Sequence, residues 1–81
     1  MEILKISSKS NPNSVAGAIA GLVKESNKAE MQAIGAGALN QAIKAIAFAN
    51  RFYGMKMTIA PFIKTIEIDG EIRHAMCLKV I

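Results

Sequence analysis

The chain passes twice from a short β-prone segment, through a turn, straight into an amphipathic helix. The first transition lies at residues 8–14, and the second at residues 34–45, where Gly35 and Gly37 precede the helix. A helical connection between neighbouring strands makes them parallel and gives a right-handed βαβ unit. Both helix N-termini are therefore predicted to open at one edge of a sheet, where unpaired N–H groups attract anions.

Polar and glycine-containing segments divide the chain into six predicted elements in the order β-α-β-α-β-β. The predicted elements are strands at residues 2–8 and 29–34, helices at about 13–26 and 38–53, and two strands within 55–81. Asn11 or Asn13 suits the cap of the first helix. Asp69 and Gly70 favour a tight hairpin turn, and Pro61 indicates a bend or an edge position in its strand.

Two layers satisfy this order: a four-stranded mixed sheet with both helices on one face, which is an α/β (α+β two-layer) fold. A length of 81 residues suits one domain, residues 1–81. The predicted core stripe of the second helix consists of Leu39, Ala42, Ile43, Ile46, Ala49 and Tyr53. The predicted core face of the last strand consists of Ile72, His74, Met76, Leu78 and Val80. Cys77 is then expected on the opposite, partly open face.

Composition narrows the possible function classes. A net charge of +4 favours an anionic partner such as nucleic acid. No apolar run approaches the about 20 residues of a membrane span, and the start of the chain lacks a signal-peptide layout, so a cytoplasmic protein is predicted. The single cysteine and the single histidine support neither an internal disulfide nor a metal site, and no cofactor is predicted. Cys77 and His74 point to opposite faces of a strand, which argues against catalysis.

The first turn offers polar side chains that suit contacts with nucleic-acid phosphate and sugar. These candidates are Lys9, Ser10, Asn11 and Asn13. Helix capping explains serine and asparagine here equally well, without any ligand. Lys9 is different, because a cation at a helix N-terminus gains most from a bound anion.

The second turn supplies further candidates for a backbone phosphate site. These candidates are Gly35, Gly37, Asn40, Gln41 and Lys44. The glycines would let a phosphate approach N–H groups, and they would equally allow a tight turn and close helix packing. A dinucleotide fingerprint is incomplete, because Asn40 replaces the third glycine and no acidic residue follows about 20 positions later. A nucleic-acid phosphate is therefore favoured over a dinucleotide.

Lys44, Phe48 and Arg51 are predicted to project away from the core stripe of the second helix, with Phe52 beside them. Exposed phenylalanine favours a subunit interface, and Phe48 and Phe52 are the candidates for one. A stacking platform for bases would use the same aromatic and basic neighbours, and ordinary partial exposure is the third interpretation.

Almost the entire chain resembles the stage V sporulation protein S family. The resemblance lies in MEILKI (1–6), SKSNPNSVAGAIAG (8–21), QAIGAGALNQA (32–42) and IDGE (68–71). It implies a small bacterial regulator required for normal progress through sporulation, with a nucleic-acid-binding role. It also implies a fold similar to that of the Alba nucleic-acid-binding proteins.

The resemblance to Alba implies a dimer and a more specific binding surface. Alba proteins carry a basic turn between the first strand and the first helix, and residues 9–12 are similar but retain only Lys9 as the basic residue. In the second turn Gly37 is kept, while Ala36 and Gln41 stand where Alba proteins have basic residues. Because phosphate neutralisation supplies most non-specific affinity, these departures predict weaker binding than in Alba.

Two functions from different classes follow from these observations. The leading hypothesis is a homo-oligomeric, dimeric module that binds DNA or RNA at the two helix N-termini, weakly and with little sequence preference. The alternative is an assembly factor that docks a protein partner through the second helix or the open sheet face. A small enzyme or nucleotide sensor is the least favoured interpretation. The sequence does not choose between DNA and RNA, because positions that would contact a 2′-hydroxyl are not identifiable.

Overall fold

The structure, a computed structural model, describes residues 3–81. Its elements are β1 (Ile3–Ile6), α1 (Pro12–Ser26), β2 (Ala29–Ala33), α2 (Ala36–Phe52), β3 (Ile59–Ile68) and β4 (Glu71–Val80). The predicted order and the two-layer α/β fold are confirmed. Glu2, the first residue of the predicted first strand, lies outside the described residues.

The four strands form one mixed sheet in the order β1-β2-β4-β3. β1 and β2 are parallel, as a helical crossover requires, and β4 is antiparallel to both β2 and β3. Pro61 lies inside β3, which is an edge strand. The predicted edge position is therefore confirmed. An edge strand suits proline, because proline has no N–H to donate to a second neighbouring strand.

Both helices begin slightly earlier than predicted. Asn11 caps α1: its Oδ1 accepts hydrogen bonds from the N–H groups of Asn13 at 2.9 Å and Ser14 at 3.3 Å. Pro12 then occupies the first helical position, where a missing N–H costs nothing. α2 begins at Ala36 directly after Gly35, whose φ of 93° lies in the region that favours glycine.

The core lies between the two helices and the sheet, and it is built mainly from small side chains. Ile19, Met31, Leu78 and Val80 are the largest members of the core that are fully buried. The helices contribute mostly alanine, namely Ala16 and Ala20 from α1 and Ala42, Ala45 and Ala49 from α2. Alanine faces let the helices approach each other and the sheet closely, which suits a chain that is 52% hydrophobic but 5% aromatic.

The predicted core stripe of α2 is partly wrong. Ile43 and Tyr53 are 40% and 48% exposed, whereas Ala38 and Ala45 are buried. α2 packs against α1 as well as the sheet, and the buried face runs through alanines spaced three and four residues apart. The rest of the predicted stripe is correct, because Ala42, Ile46 and Ala49 are buried and Leu39 packs against the core.

The β3–β4 hairpin extends past the rest of the sheet. β2 pairs with β4 only from Val80 to Met76, whereas β3 pairs with β4 along its whole length. Residues 64–75 therefore form a two-stranded projection, called here the hairpin arm. Ile72 and His74, predicted in the core face, are exposed because the arm reaches beyond the helices.

Cys77 lies on the sheet face that points away from the helices, as its register with Gln32 and Phe62 shows. We call this side of the sheet the uncovered face. Cys77 is nonetheless fully buried there by neighbouring side chains, in contrast to the open position expected for it. Burial raises the pKa of the Cys77 thiol, the Glu30 carboxylate raises this pKa further, and Lys64 opposes them.

The Cys77 thiol is expected to resist labelling in the folded protein at about pH 8, because the reactive thiolate is disfavoured and shielded. Its pKa is raised on folding, so the stability it contributes is present at neutral pH and is lost as pH rises through the folded-state pKa. A chromogenic disulfide reagent, added across a urea series, should label Cys77 in step with unfolding measured by circular dichroism. Rapid labelling without denaturant would contradict this prediction.

Candidate nucleic-acid interface

The turns before the two helices meet at one edge of the sheet, as predicted. The Gln41 side-chain amide, in the second turn of α2, donates a hydrogen bond to the Ser10 carbonyl at 2.8 Å. A Cβ placed on Gly37 would lie only 3.0 Å from the Cβ of Ser8. Glycine at position 37 therefore lets the start of α2 approach the turn that follows β1.

The first turn is held by bonds among its own residues. The Ser7 N–H donates to Ser10 Oγ at 2.9 Å, and the Ser10 N–H donates to the Ser7 carbonyl at 3.1 Å. The Lys9 N–H donates to Ser7 Oγ at 3.2 Å, and the Lys9 side chain is exposed. The turn thus presents a cation at the shared edge.

The N-terminus of α1 has few donors left for an anion. Pro12 has no N–H, and the next two N–H groups are bound by Asn11 Oδ1. The Val15 N–H donates to the Asn11 carbonyl at 3.0 Å. Of the two interpretations of Asn11, capping is therefore the one that the geometry supports.

The N-terminus of α2 is different, because no side chain of the described residues caps it. The Leu39 N–H makes the first intrahelical bond, to the Gly35 carbonyl at 3.1 Å. The three preceding N–H groups, at residues 36–38, have no intrahelical acceptor. The first turn of α2 also holds no acidic residue. These donors and the helix dipole favour an anion at this end.

Two side chains on α2 extend this edge toward solvent. Asn40 and Lys44 are both exposed and lie four residues apart, on one face of the helix. Gln41, predicted to contact phosphate, is half-buried and uses its side-chain N–H₂ group to hold the first turn. The sequence identified Gln41 as part of the site but could not show this internal bond.

The two candidate interface phenylalanines differ in exposure. Phe52 is 60% exposed, and its ring centroid lies 5.6 Å from that of Phe48. Phe48 is half-buried and packs against the core, so its predicted projection away from the core is wrong. Ile43 and Tyr53 add exposed apolar area to α2, and sequence reasoning missed them because it assigned both to the core.

Sequence reasoning also missed the basic character of the uncovered face. Strand register places four cations there, namely Lys5, Lys64, Arg73 and Lys79. Lys64 Nζ lies 3.5 Å from Glu30 Oε2, and Lys79 Nζ lies 5.4 Å from the ring centroid of Phe62. The alternation of these residues with apolar ones was visible in the sequence, but their grouping depends on which strands are neighbours.

The fold belongs to the Alba class. Alba from Thermoplasma volcanium superposes with a TM-score of 0.65 over 98% of this chain and 95% of that chain, at 12% sequence identity. At this identity the similarity is one of fold.

The chain belongs to the stage V sporulation protein S family, whose family model matches residues 2–81. Both resemblances found in the sequence are thereby confirmed, and the protein is sporulation-related through its family. Within residues 3–81, no helix is both long enough and apolar enough to cross a bilayer.

Proposed function

We propose that this protein is a non-catalytic cytoplasmic regulator that binds DNA or RNA at the edge where its two helices begin. The observation that carries the proposal is the uncapped N-terminus of α2, held against the cationic first turn by the bond from Gln41 to Ser10. Backbone N–H groups near Gly37 would contact a phosphate oxygen, and Lys9 and Lys44 would neutralise neighbouring phosphates. Such contacts carry little sequence information.

The remaining residues of the proposed site have two kinds of role. Asn11 and Gln41 shape the edge, because their side chains bind backbone groups of the turns. Ser10, Asn13 and Asn40 would contact sugar and phosphate through their polar side chains.

The regulator is proposed to act as a homodimer. Exposed Phe52, the last residue of α2, and the adjacent Tyr53 provide apolar area that a second copy would cover. The proposed interface occupies the C-terminal half of α2, away from the N-terminal edge. Dimer formation would therefore leave the nucleic-acid edge accessible.

The charge-reversal pair Lys9→Glu and Lys44→Glu is expected to weaken binding strongly at low salt. Loss of two phosphate contacts should lower the slope of log K against log salt by about 1.8 on duplex DNA, at about 0.9 for each contact. Fluorescence anisotropy with labelled duplex DNA, single-stranded DNA and RNA over a salt series measures both quantities.

The matched control is Lys28→Glu with Lys56→Glu, which makes the same change in net charge. These exposed lysines lie in the connections after α1 and α2, at the other end of the helices. α2 has 17 residues and so is about 25 Å long. Equal loss of binding in both pairs would indicate a general charge effect, and unchanged binding in the Lys9 and Lys44 pair would show that the proposed edge is wrong.

A second candidate function, docking of a protein partner, is favoured by the exposed ring of Phe52. A pulldown in which one protein binds to saturation, and is lost in Phe52→Ser, would support it. The protein must also show no retention on immobilised DNA or RNA at low salt, because such retention would support nucleic-acid binding instead.

A further inference from the structure

A cleft of about 650 Å³ lies between β1 and the hairpin arm. Ile3 and Lys5 line it from β1, and Ile66 and Ile68 line it from the arm. The arm leaves the sheet at Met76, the last residue of β4 paired with β2, and faces β1 across the cleft. The volume lies within the about 300–1,000 Å³ that is typical of small-molecule sites.

The walls of the cleft combine apolar surface with a few polar groups. Register places the Ile3, Lys5, Ile66 and Ile68 side chains on the uncovered face, together with Gln32, which pairs with Lys5. Ile3 and Ile68 are 39% and 41% exposed, so their side chains are available for contact. Apolar walls with an amide and an ammonium group suit a flat, hydrogen-bonding ring.

The cleft opens at the same edge as the uncapped N-terminus of α2. Ser7 and Ser8 line one end of the cleft. Ser8 is also the residue against which Gly37 packs, and Ser7 Oγ accepts the bond from the Lys9 N–H at 3.2 Å. A nucleic-acid strand whose phosphates bind at the N-terminus of α2 would therefore have the cleft directly beside it.

Charge on the uncovered face also favours an anionic partner. The face holds Lys5, Lys64, Arg73 and Lys79, as described above. Its carboxylates among residues 3–81 are Glu30, which is buried beside Lys64, and Glu71 at the tip of the arm. Glu67 also lines the cleft, but its register with Ile72 places it on the other face of the arm.

We propose that this cleft binds one unpaired base of a single-stranded nucleic acid whose phosphates lie along the edge where the two helices begin. The proposal rests on the proposed function and assigns its substrate class, single strands or loops. A duplex keeps its bases stacked and paired, so it cannot place one in the cleft without an unstacking cost. The cations of the uncovered face, and the position of the cleft beside the N-terminus of α2, favour a base as its occupant over an apolar peptide or a second copy of the chain.

Ile68→Ser tests the proposal, and Ile72→Ser is its matched control. Both isoleucines are exposed near the hairpin turn, and they lie on opposite faces of the arm. Ile68→Ser should weaken binding of labelled oligo(dT) and oligo(rU) by about fivefold and leave binding of a duplex of equal length unchanged. Ile72→Ser should leave all affinities unchanged. Amide resonances of residues 3–8 and 66–68 should shift when the wild-type protein binds oligo(rU).

Three results would overturn the proposal. The first is that the wild type binds single strands and duplex with equal affinity. The second is that Ile68→Ser binds single strands as tightly as the wild type does. The third is that Ile68→Ser loses oligomeric mass, which would identify a second copy as the occupant of the cleft. Wild-type binding that is lost in Lys9→Glu with Lys44→Glu but unaffected by Ile68→Ser would overturn the cleft alone. A wild type that binds no nucleic acid at low salt would overturn the proposed function as well.

Discussion

Replacing Leu78 with alanine is expected to lower the free energy of unfolding by about 2–5 kcal/mol, because it opens a cavity at the centre of the core. Leu78 lies on β4 between Met31 of β2 and Pro61 of β3, and it is only 1% exposed. A domain of this size has about 5–15 kcal/mol of stability in total. Leu78→Ala should therefore lower the urea midpoint substantially, as measured by circular dichroism.

Ile72→Ala is the control for this prediction, because it truncates a large side chain of the same strand. Ile72 is 69% exposed, so its loss should change stability by no more than about 0.5 kcal/mol. Both variants must be compared at one protein concentration, since association would stabilise the folded state. Equal effects of the two truncations would show that the core is not where the structure places it.

Lys64→Met is expected to lower the free energy of unfolding by about 1–3 kcal/mol, because it removes the charge partner of a buried carboxylate. Glu30 Oε2 is buried, lies 3.5 Å from Lys64 Nζ, and has no hydrogen-bond partner among the described residues. The Lys64 side chain is 44% exposed, so the effect should fall below the about 3–5 kcal/mol seen for fully buried pairs. Urea unfolding measures it.

A double variant separates the ion pair from simple packing. Glu30→Met with Lys64→Met replaces both partners by apolar side chains and should recover most of the stability lost in Lys64→Met. Lys5→Met is the control, because it removes an exposed lysine of the same sheet face. If Lys64→Met and Lys5→Met behave alike, the Glu30 carboxylate does not depend on Lys64.

The element order was predictable because each boundary has a local signal. Pro12 with an asparagine cap starts α1, Gly35 precedes α2, and Asp69 with Gly70 closes the hairpin, with φ values of 52° and 80° at those two residues. Turn and cap conformations depend on a few neighbouring residues, so a sequence can indicate them directly.

Errors arose where burial depends on which elements meet. Ile43 and Tyr53 fit an amphipathic stripe, yet both are exposed, and Ala38 and Ala45 are buried instead. Phe48, predicted to project away from the core, packs against it. Helical periodicity shows which residues share a face, but the distance between two helices decides which face is buried.

The candidate site was predictable in its location and less so in its chemistry. The sequence placed Lys9 and Gly37 at one edge, and the structure brings their turns together. Only the tertiary structure shows that Asn11 rather than Asn13 caps α1 and that Gln41 binds Ser10, which leaves α2 as the N-terminus with unused donors. Hydrogen bonds between residues 31 positions apart leave no local signal.

By itself, the sequence determined the family, the βαβαββ order and the position of the two helix N-termini, because these depend on local conformational preferences and hydrophobic spacing. The tertiary structure decided which donors remain free, that Cys77 is buried, and that β1 and the hairpin arm enclose a cleft. These properties arise when strands distant in the chain become neighbours. Such contacts depend on strand pairing and twist, which no short segment encodes alone.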